Sequence, residues 1–221
     1  MQKYTVPAQS DDKTGTRGRG RPRAFDRETA LAEATRLFWA KGYEATSISD
    51  LTEAMKIGSP SLYAAFGSKD ALYAEALDYY RRNYDAFVWA NFLTAPTARE
   101  AIGALLTDSA AALTGYVADI PCGCMVTLSA VGSEGHPELG DLVRTARAST
   151  FDRVKARLDR AVAEGEIPDS TDVHALARYI QTVQNGMSIL ARDGADCAEL
   201  RSVADVAMLS WDRYTSLATR S

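Results

Sequence analysis

Cysteine, long apolar runs and glycine-rich segments are all scarce in this chain of 221 residues. Three cysteines are too few, and odd in number, for a disulfide framework, which favours a reducing compartment. No uninterrupted apolar stretch approaches the roughly 18–20 residues that a membrane helix needs. The amino-terminal segment also lacks the apolar core of a secretory signal. We therefore expect a cytoplasmic globular protein with no membrane partner.

Groups for catalysis are scarce as well. The chain has two histidines, and it contains no nucleophile elbow, phosphate-binding glycine loop or dinucleotide fingerprint. Cys122, Cys124 and His136 together supply only three potential metal ligands, whereas a structural zinc site takes four, usually with two residues between paired cysteines. The sequence predicts neither an enzyme nor a bound cofactor or metal. A thiol- or metal-responsive switch at Cys122/Cys124 stays open as an alternative, and a helical enzyme or ligand carrier is a third.

Charge is distributed unevenly along the chain. The segment from Lys13 to Phe25 holds five basic residues and no acidic one, so it carries +5. Since the whole chain carries −4, the remainder carries −9. A short basic arm on an acidic body is expected where the arm meets a polyanion. Its Gly, Arg and Pro content predicts a flexible segment over residues 1–23.

Beyond the arm the apolar residues recur at helical spacing, and no segment alternates as a half-buried strand does. The pattern predicts an all-α protein of about nine helices. Asp26, Ser47 and Ser68 are predicted helix caps. They indicate a compact head of three helices: the first ends at Gly42, the second is short and begins at Ser47, and the third ends at Phe66. The longer helices are expected at about Lys69–Phe92, Thr97–Val117, Glu138–Glu164, Asp172–Arg192 and Glu199–Thr219, with a short one at Gly123–Val131.

Two short helices joined by a tight turn and packed on a preceding helix form a helix-turn-helix plan, here over about residues 47–66. The second of them is small enough to enter a DNA major groove. With Leu62 and Phe66 facing inward, small and hydroxyl-bearing side chains are left to face outward, and flanking groups could bind phosphates. The candidate DNA-binding residues are Thr46, Ser47, Ser59, Pro60, Ser61, Tyr63, Ala65 and Lys69, with Arg19, Arg21 and Arg23 reaching an adjacent minor groove.

The ordered set of residues in this head matches a known pattern. It comprises Leu37-Phe38, Gly42-Tyr43, Thr46-Ser47-Ile48, Asp50-Leu51, Ala54, Pro60-Ser61-Leu62-Tyr63-Ala64-Ala65-Phe66, Ser68-Lys69 and Leu72. Residues 24–84 thereby resemble the DNA-binding domain of the TetR/AcrR (tetracycline-repressor) family of bacterial transcription regulators. Members often carry glycine where this chain has Lys56, so we expect Lys56 in a left-handed conformation.

The resemblance implies a ligand-responsive repressor that binds a palindromic double-stranded DNA operator as a homodimer on the bacterial nucleoid. It implies that residues 85–221 bind an unknown small-molecule effector and dimerise through the last two helices. An apolar effector pocket needs an aromatic lining and a few polar groups. The candidate lining residues are Trp89, Phe92, Tyr116, Cys124, Met125, Phe151, Tyr179, Gln181, Gln184 and Met187.

Overall fold

A computed structural model describes residues 26–133 and 135–217, and over these ranges every regular element is an α-helix. None of the helices in this part of the chain is both long and apolar enough to cross a bilayer. The ten helices are α1 (Arg27–Lys41), α2 (Ile48–Met55), α3 (Ser59–Phe66), α4 (Lys69–Tyr84), α5 (Ala86–Thr94), α6 (Ala98–Leu113), α7 (Met125–Leu128), α8 (Pro137–Ala163), α9 (Val173–Arg192) and α10 (Cys197–Leu217).

The helix starts in the head follow from local capping chemistry. The Asp26 carboxylate accepts from the backbone N–H of Glu28 at 3.0 Å. Ser47 and Asp50 form a reciprocal capping box, in which the Ser47 hydroxyl accepts from the Asp50 N–H and the Asp50 carboxylate accepts from the Ser47 N–H. The Ser68 hydroxyl caps α4 by accepting from the N–H of Ala71 at 3.0 Å, without a reciprocal bond. All three predicted caps are confirmed.

The expected long helix over Lys69–Phe92 is wrong, because it is interrupted at Asp85 and forms α4 and α5. The apolar periodicity continues through this point without proline or glycine, so the sequence carries no stop signal there. The Asp85 carboxylate accepts a hydrogen bond from Arg153 of α8 at 3.3 Å, a contact between distant segments. The described residues consequently hold ten helices where about nine were expected.

Two of the body helices are shorter than predicted. α6 ends at Leu113, where the Thr114 hydroxyl donates to the Ala110 carbonyl and Gly115 turns the chain with a φ of 71°. The helix expected over Gly123–Val131 contracts to the four residues of α7. In both cases the helical spacing of apolar residues continues into a segment that forms a loop in the structure.

Two hydrophobic clusters stabilise the fold. Helices α5, α6, α8, α9 and α10 enclose the larger cluster. The smaller cluster lies among α1–α4 and continues into α7 and the first half of α8, through Met125, Val126, Leu139 and Val143. The head therefore packs directly on α7 and α8. A movement of either helix would change the packing of the head, because protein interiors are closely packed.

Candidate nucleic-acid interface

The turn between α2 and α3 is set by one left-handed residue. Lys56 has φ 55° and ψ 40°, as expected, and its backbone N–H donates to the Glu53 carbonyl. The next N–H, of Ile57, donates to the Thr52 carbonyl at 3.1 Å. Gly58 then caps α3 without a side chain, and Pro60 occupies its first turn. The turn therefore fixes the angle between the two helices through backbone hydrogen bonds.

Helix α3 presents one face to the head core and the other to solvent. Leu62 is 0% exposed and Phe66 is 4% exposed. The Arg27 guanidinium lies 4.4 Å from the centre of the Phe66 ring, donates to the Ala65 carbonyl and pairs with Glu75 at 2.8 Å. The outward face carries the exposed Ser59, Pro60, Ser61, Tyr63 and Ala64. Helix α3 is thus anchored in the head core by its two buried side chains, and most of the side chains on its outer face are small.

The expected outward position of Ala65 is wrong. Its side chain is half-buried against the head cluster, whereas that of Ala64 is exposed. Position 65 lies three residues after Leu62 and therefore on the same helical face. Helical spacing alone could have identified Ala64 as the outward methyl group.

Thr46 is also removed from the candidate contacts. Its side chain is fully buried, and its hydroxyl donates to the Gly42 carbonyl at 2.6 Å. Ser47 is exposed at the start of α2, where its hydroxyl oxygen accepts from the Asp50 N–H. Hydrogen bonds from the Ser47 backbone and side chain hold the pKa of Asp50 below its usual value.

Lys69 lies at the start of α4, with its Nζ 4.1 Å from the centre of the Tyr43 ring. The Tyr43 hydroxyl in turn donates to Asp70. Burial, reinforced by this hydrogen bond, raises the pKa of Tyr43 above its usual value. Lys69 is therefore held beside α3 by a cation–π contact. Arg19, Arg21 and Arg23 lie outside the described residues.

A partly open cavity of about 80 Å³ lies in the body between α4, α5, α8 and α9. Four of the predicted pocket residues line it, namely Trp89, Cys124, Gln181 and Gln184. The Tyr80 hydroxyl donates to the Cys124 sulfur at 3.4 Å. The pKa of Tyr80 is raised mainly because the hydroxyl is buried, and the neighbouring Cys124 sulfur raises it further. The other lining residues are Tyr80, Arg81, Tyr84, Asp85, Val88, Leu113, Val126, Thr127, Ala146, Arg147, Ser149, Thr150, Arg153 and Asn185.

Six predicted pocket residues lie elsewhere. Tyr116 is 73% exposed because α6 ends before it, and Tyr179 is exposed on the outer face of α9. The other four are buried in the two clusters without bordering the cavity, namely Phe92, Met125, Phe151 and Met187. Periodicity identifies buried faces, but not which buried side chains border a space.

Sequence reasoning missed the charged part of the lining, including Arg147. A signal for this residue existed, because Arg147 lies four residues from both Val143 and Phe151 and so interrupts the apolar stripe of α8.

The head reaches the cavity through the end of α1. The Trp39 ring packs edge-on against Tyr80 and Tyr84, with centroids 4.8 and 5.2 Å away, and its Nε1 donates to the Gly123 carbonyl at 2.9 Å. Arg192 of α9 donates to the Trp39 carbonyl at 2.8 Å, the Ala40 carbonyl at 3.1 Å and the Cys122 carbonyl at 2.9 Å. Two walls of the cavity are therefore in contact with the first helix of the head.

Comparison with known proteins agrees with this geometry. Residues 30–76 match the family described as bacterial regulatory proteins, tetR family. The chain is 35% identical to the HTH-type transcriptional repressor ComR of Escherichia coli K12, over 88% of this chain and 93% of ComR. It is 30% identical to the HTH-type transcriptional repressor BdcR of the same organism, over 88% of this chain and 93% of BdcR.

A solved structure is similar along most of the chain. It is a cysteine-substituted form of the TetR family transcriptional regulator CifR, complexed with 26-base-pair double-strand operator DNA. The TM-score is 0.81 at 38% identity, covering 87% of this chain and 100% of that one. This chain therefore belongs to the tetR family of bacterial regulatory proteins.

Proposed function

We propose that this protein is a transcriptional repressor that binds a two-fold symmetric DNA operator as a homodimer and is released by a small-molecule effector. The observation that carries the proposal is α3, which is seated by Leu62 and Phe66 and exposes Ser59, Ser61 and Tyr63 along its outer face. An exposed two-turn helix with hydroxyl-bearing side chains fits a major groove. The repressor relatives and the operator complex of CifR support the same function.

The proposed DNA contacts are divided between α3 and its flanks. Ser59, Ser61 and the Ala64 methyl group face base edges, while Tyr63 and Ser47 donate to phosphates. Lys69 supplies a positive charge to the same backbone, and the arginines at 19, 21 and 23 reach the neighbouring minor groove. The base contacts determine which sequence is bound, and the phosphate contacts determine the salt dependence of binding.

Selection of duplexes from a random pool tests this function. We expect recovered sequences with two inverted half-sites whose centres lie about 34–36 Å apart, one helical turn of B-form DNA. Tyr63→Phe keeps the ring and loses the hydroxyl, so it should weaken binding to selected and random duplexes by the same factor. A pool that converges on no sequence, or on a single half-site, contradicts the proposal.

The homodimer is proposed to form through α9 and α10. These two helices expose large apolar side chains on their outer faces, among them Tyr179, Val206, Leu209 and Tyr214. Exposed apolar surface of this extent on adjacent long helices is typical of a helical interface buried by a second copy.

A matched pair of variants separates dimerisation from general surface effects. Leu209 of α10 is 68% exposed and Leu93 of α5 is 69% exposed. Leu209→Glu should give a monomer by light scattering and lose operator binding, whereas Leu93→Glu should remain dimeric. A dimer for both variants would remove α10 from the proposed interface.

The cavity is the proposed effector site, because its walls touch the head. Tyr80 and Tyr84 belong to α4, which begins directly after α3, and both contact Trp39 of α1. A ligand that moves these rings changes how α1 and α4 pack and hence where α3 lies. An effector that favours the displaced form by about 3 kcal/mol would weaken operator binding roughly a hundredfold.

A further inference from the structure

The cavity carries an excess of positive charge. Arg81, Arg147 and Arg153 line it, and Asp85 is the one carboxylate among the lining residues that the structure describes. Asp85 already pairs with Arg153 at 3.3 Å, and Arg153 also lies 4.9 Å from the centre of the Trp89 ring. The pair is thus internally neutral. Two positive charges remain at the cavity of a chain whose net charge is −4.

Arg147 is the better placed of these two charges. Its Nε donates to the Val126 carbonyl at 3.0 Å, and its Nη2 donates to the carbonyls of Thr127 and Ser129. These bonds hold the half-buried guanidinium in place, but carbonyl groups carry no formal charge. Within the described part of the chain, no carboxylate forms an ion pair with Arg147. A half-buried charge that lacks a counter-ion favours binding of an anion.

Neighbouring polar groups are only partly engaged. Gln181 is used at both ends, since its amide nitrogen donates to the Arg147 carbonyl and its oxygen accepts from Arg178. Asn185 uses its oxygen to accept from the Thr127 hydroxyl at 3.3 Å, which leaves its amide hydrogens as donors. Guanidinium and amide donors are the groups that bind carboxylate oxygens.

The size of the cavity limits the ligand. About 80 Å³ is smaller than the roughly 150 Å³ cavity that accommodates benzene. The remaining lining includes the apolar side chains of Val88, Trp89, Leu113 and Val126. We infer that the effector is a small monocarboxylate with a short alkyl chain, its carboxylate bound by Arg147 and its alkyl group against these apolar side chains. This inference rests on the proposed effector role of the cavity.

The test uses sodium propanoate, its neutral analogue propanamide and the bulkier phenylacetate, at a constant ionic strength set with sodium chloride. Propanoate should raise the melting temperature of the protein saturably and release it from its operator, whereas propanamide should do neither. Phenylacetate should bind at least about tenfold more weakly than propanoate, because the cavity is smaller than one known to accommodate benzene.

Two variants of α8 separate the charge at the cavity from charge in general. Arg147→Gln should weaken propanoate binding by about tenfold or more, since it removes a charged donor. Arg144→Gln is the matched control, because Arg144 lies one turn away, is exposed and pairs with Asp141. Arg81→Gln is a second cavity variant that keeps the bonds of Arg147 to α7, and it should weaken propanoate binding several-fold.

Equal effects of propanoate and propanamide, or equal propanoate binding by Arg147→Gln, Arg81→Gln and Arg144→Gln, would overturn the inference. Operator binding measured in the absence of any acid keeps this result separate from the proposed function. If the protein selects a symmetric operator but does not respond to propanoate, only the inference of a carboxylate effector is refuted. If the protein selects no operator, the proposed repressor function is refuted.

Discussion

Replacing Arg192 by methionine should destabilise the protein markedly, because this side chain joins α9 to the end of α1. Methionine keeps the apolar stem and removes three hydrogen bonds, to the carbonyls of Trp39, Ala40 and Cys122. The first two carbonyls belong to the last turn of α1, where no intrahelical donor reaches them. A cation at this position also offsets the negative end of the helix dipole.

The magnitude follows from the number and kind of these bonds. A hydrogen bond from a charged donor contributes about 1.5–3 kcal/mol. Arg192 is only half-buried, so water replaces part of what is lost, and the three bonds share one guanidinium and do not add. We therefore expect the free energy of unfolding to fall by about 2–4 kcal/mol in total. For a chain of this size that corresponds to a melting temperature lower by roughly 5–15 °C.

Urea unfolding and thermal melting at one protein concentration measure this loss. Arg160→Met is the control, since Arg160 is exposed and its carboxylate partner Glu164, the residue that follows α8, lies 3.7 Å away. Such a pair contributes at most about 1 kcal/mol. Arg192→Lys should fall between Arg192→Met and the parent, because an ammonium group reaches fewer of the carbonyls. If Arg192→Met melts with the control, these contacts do not stabilise the junction of head and body.

Four further substitutions test individual assignments. Lys69→Gln should reduce the slope of log K against log salt concentration by about 0.9, measured by fluorescence anisotropy on the operator. Ser61→Ala should change discrimination at one base position by about 1–3 kcal/mol, measured with single-base operator variants, whereas an unchanged preference removes Ser61 from base contact. Thr46→Val should lower the free energy of unfolding by about 1–3 kcal/mol, since it leaves the Gly42 carbonyl without its donor, while leaving the salt slope unaltered. Peroxide should have the same effect on operator binding by Cys124→Ser as on binding by the parent protein. If peroxide releases the parent but not Cys124→Ser, the thiol switch is supported instead.

Much of the head could be predicted from the sequence because local chemistry determines it. The caps at Asp26, Ser47 and Ser68 depend on residues at most three positions away. The left-handed Lys56 is likewise imposed by a short turn. The seated and exposed faces of α3 follow from helical spacing, apart from the exchange of Ala64 for Ala65. The resemblance to a family of DNA-binding regulators rests on the same local residues.

The body was predicted less well, since its features depend on contacts between distant segments. The break at Asp85 coincides with a pairing to Arg153, 68 residues further along the chain. The burial of Phe92 and Phe151 away from the cavity depends on which neighbours pack beside them.

What the sequence by itself determined is the all-helical class, the helix starts of the head and the exposed helix that we propose faces DNA, because capping and periodicity act over a few residues. Only the tertiary structure decided where the cavity lies, which charges surround it and how Arg192 and Trp39 connect it to the head. Several of the contacts behind those properties join residues 44 to 153 positions apart, whose proximity depends on the packing of whole helices.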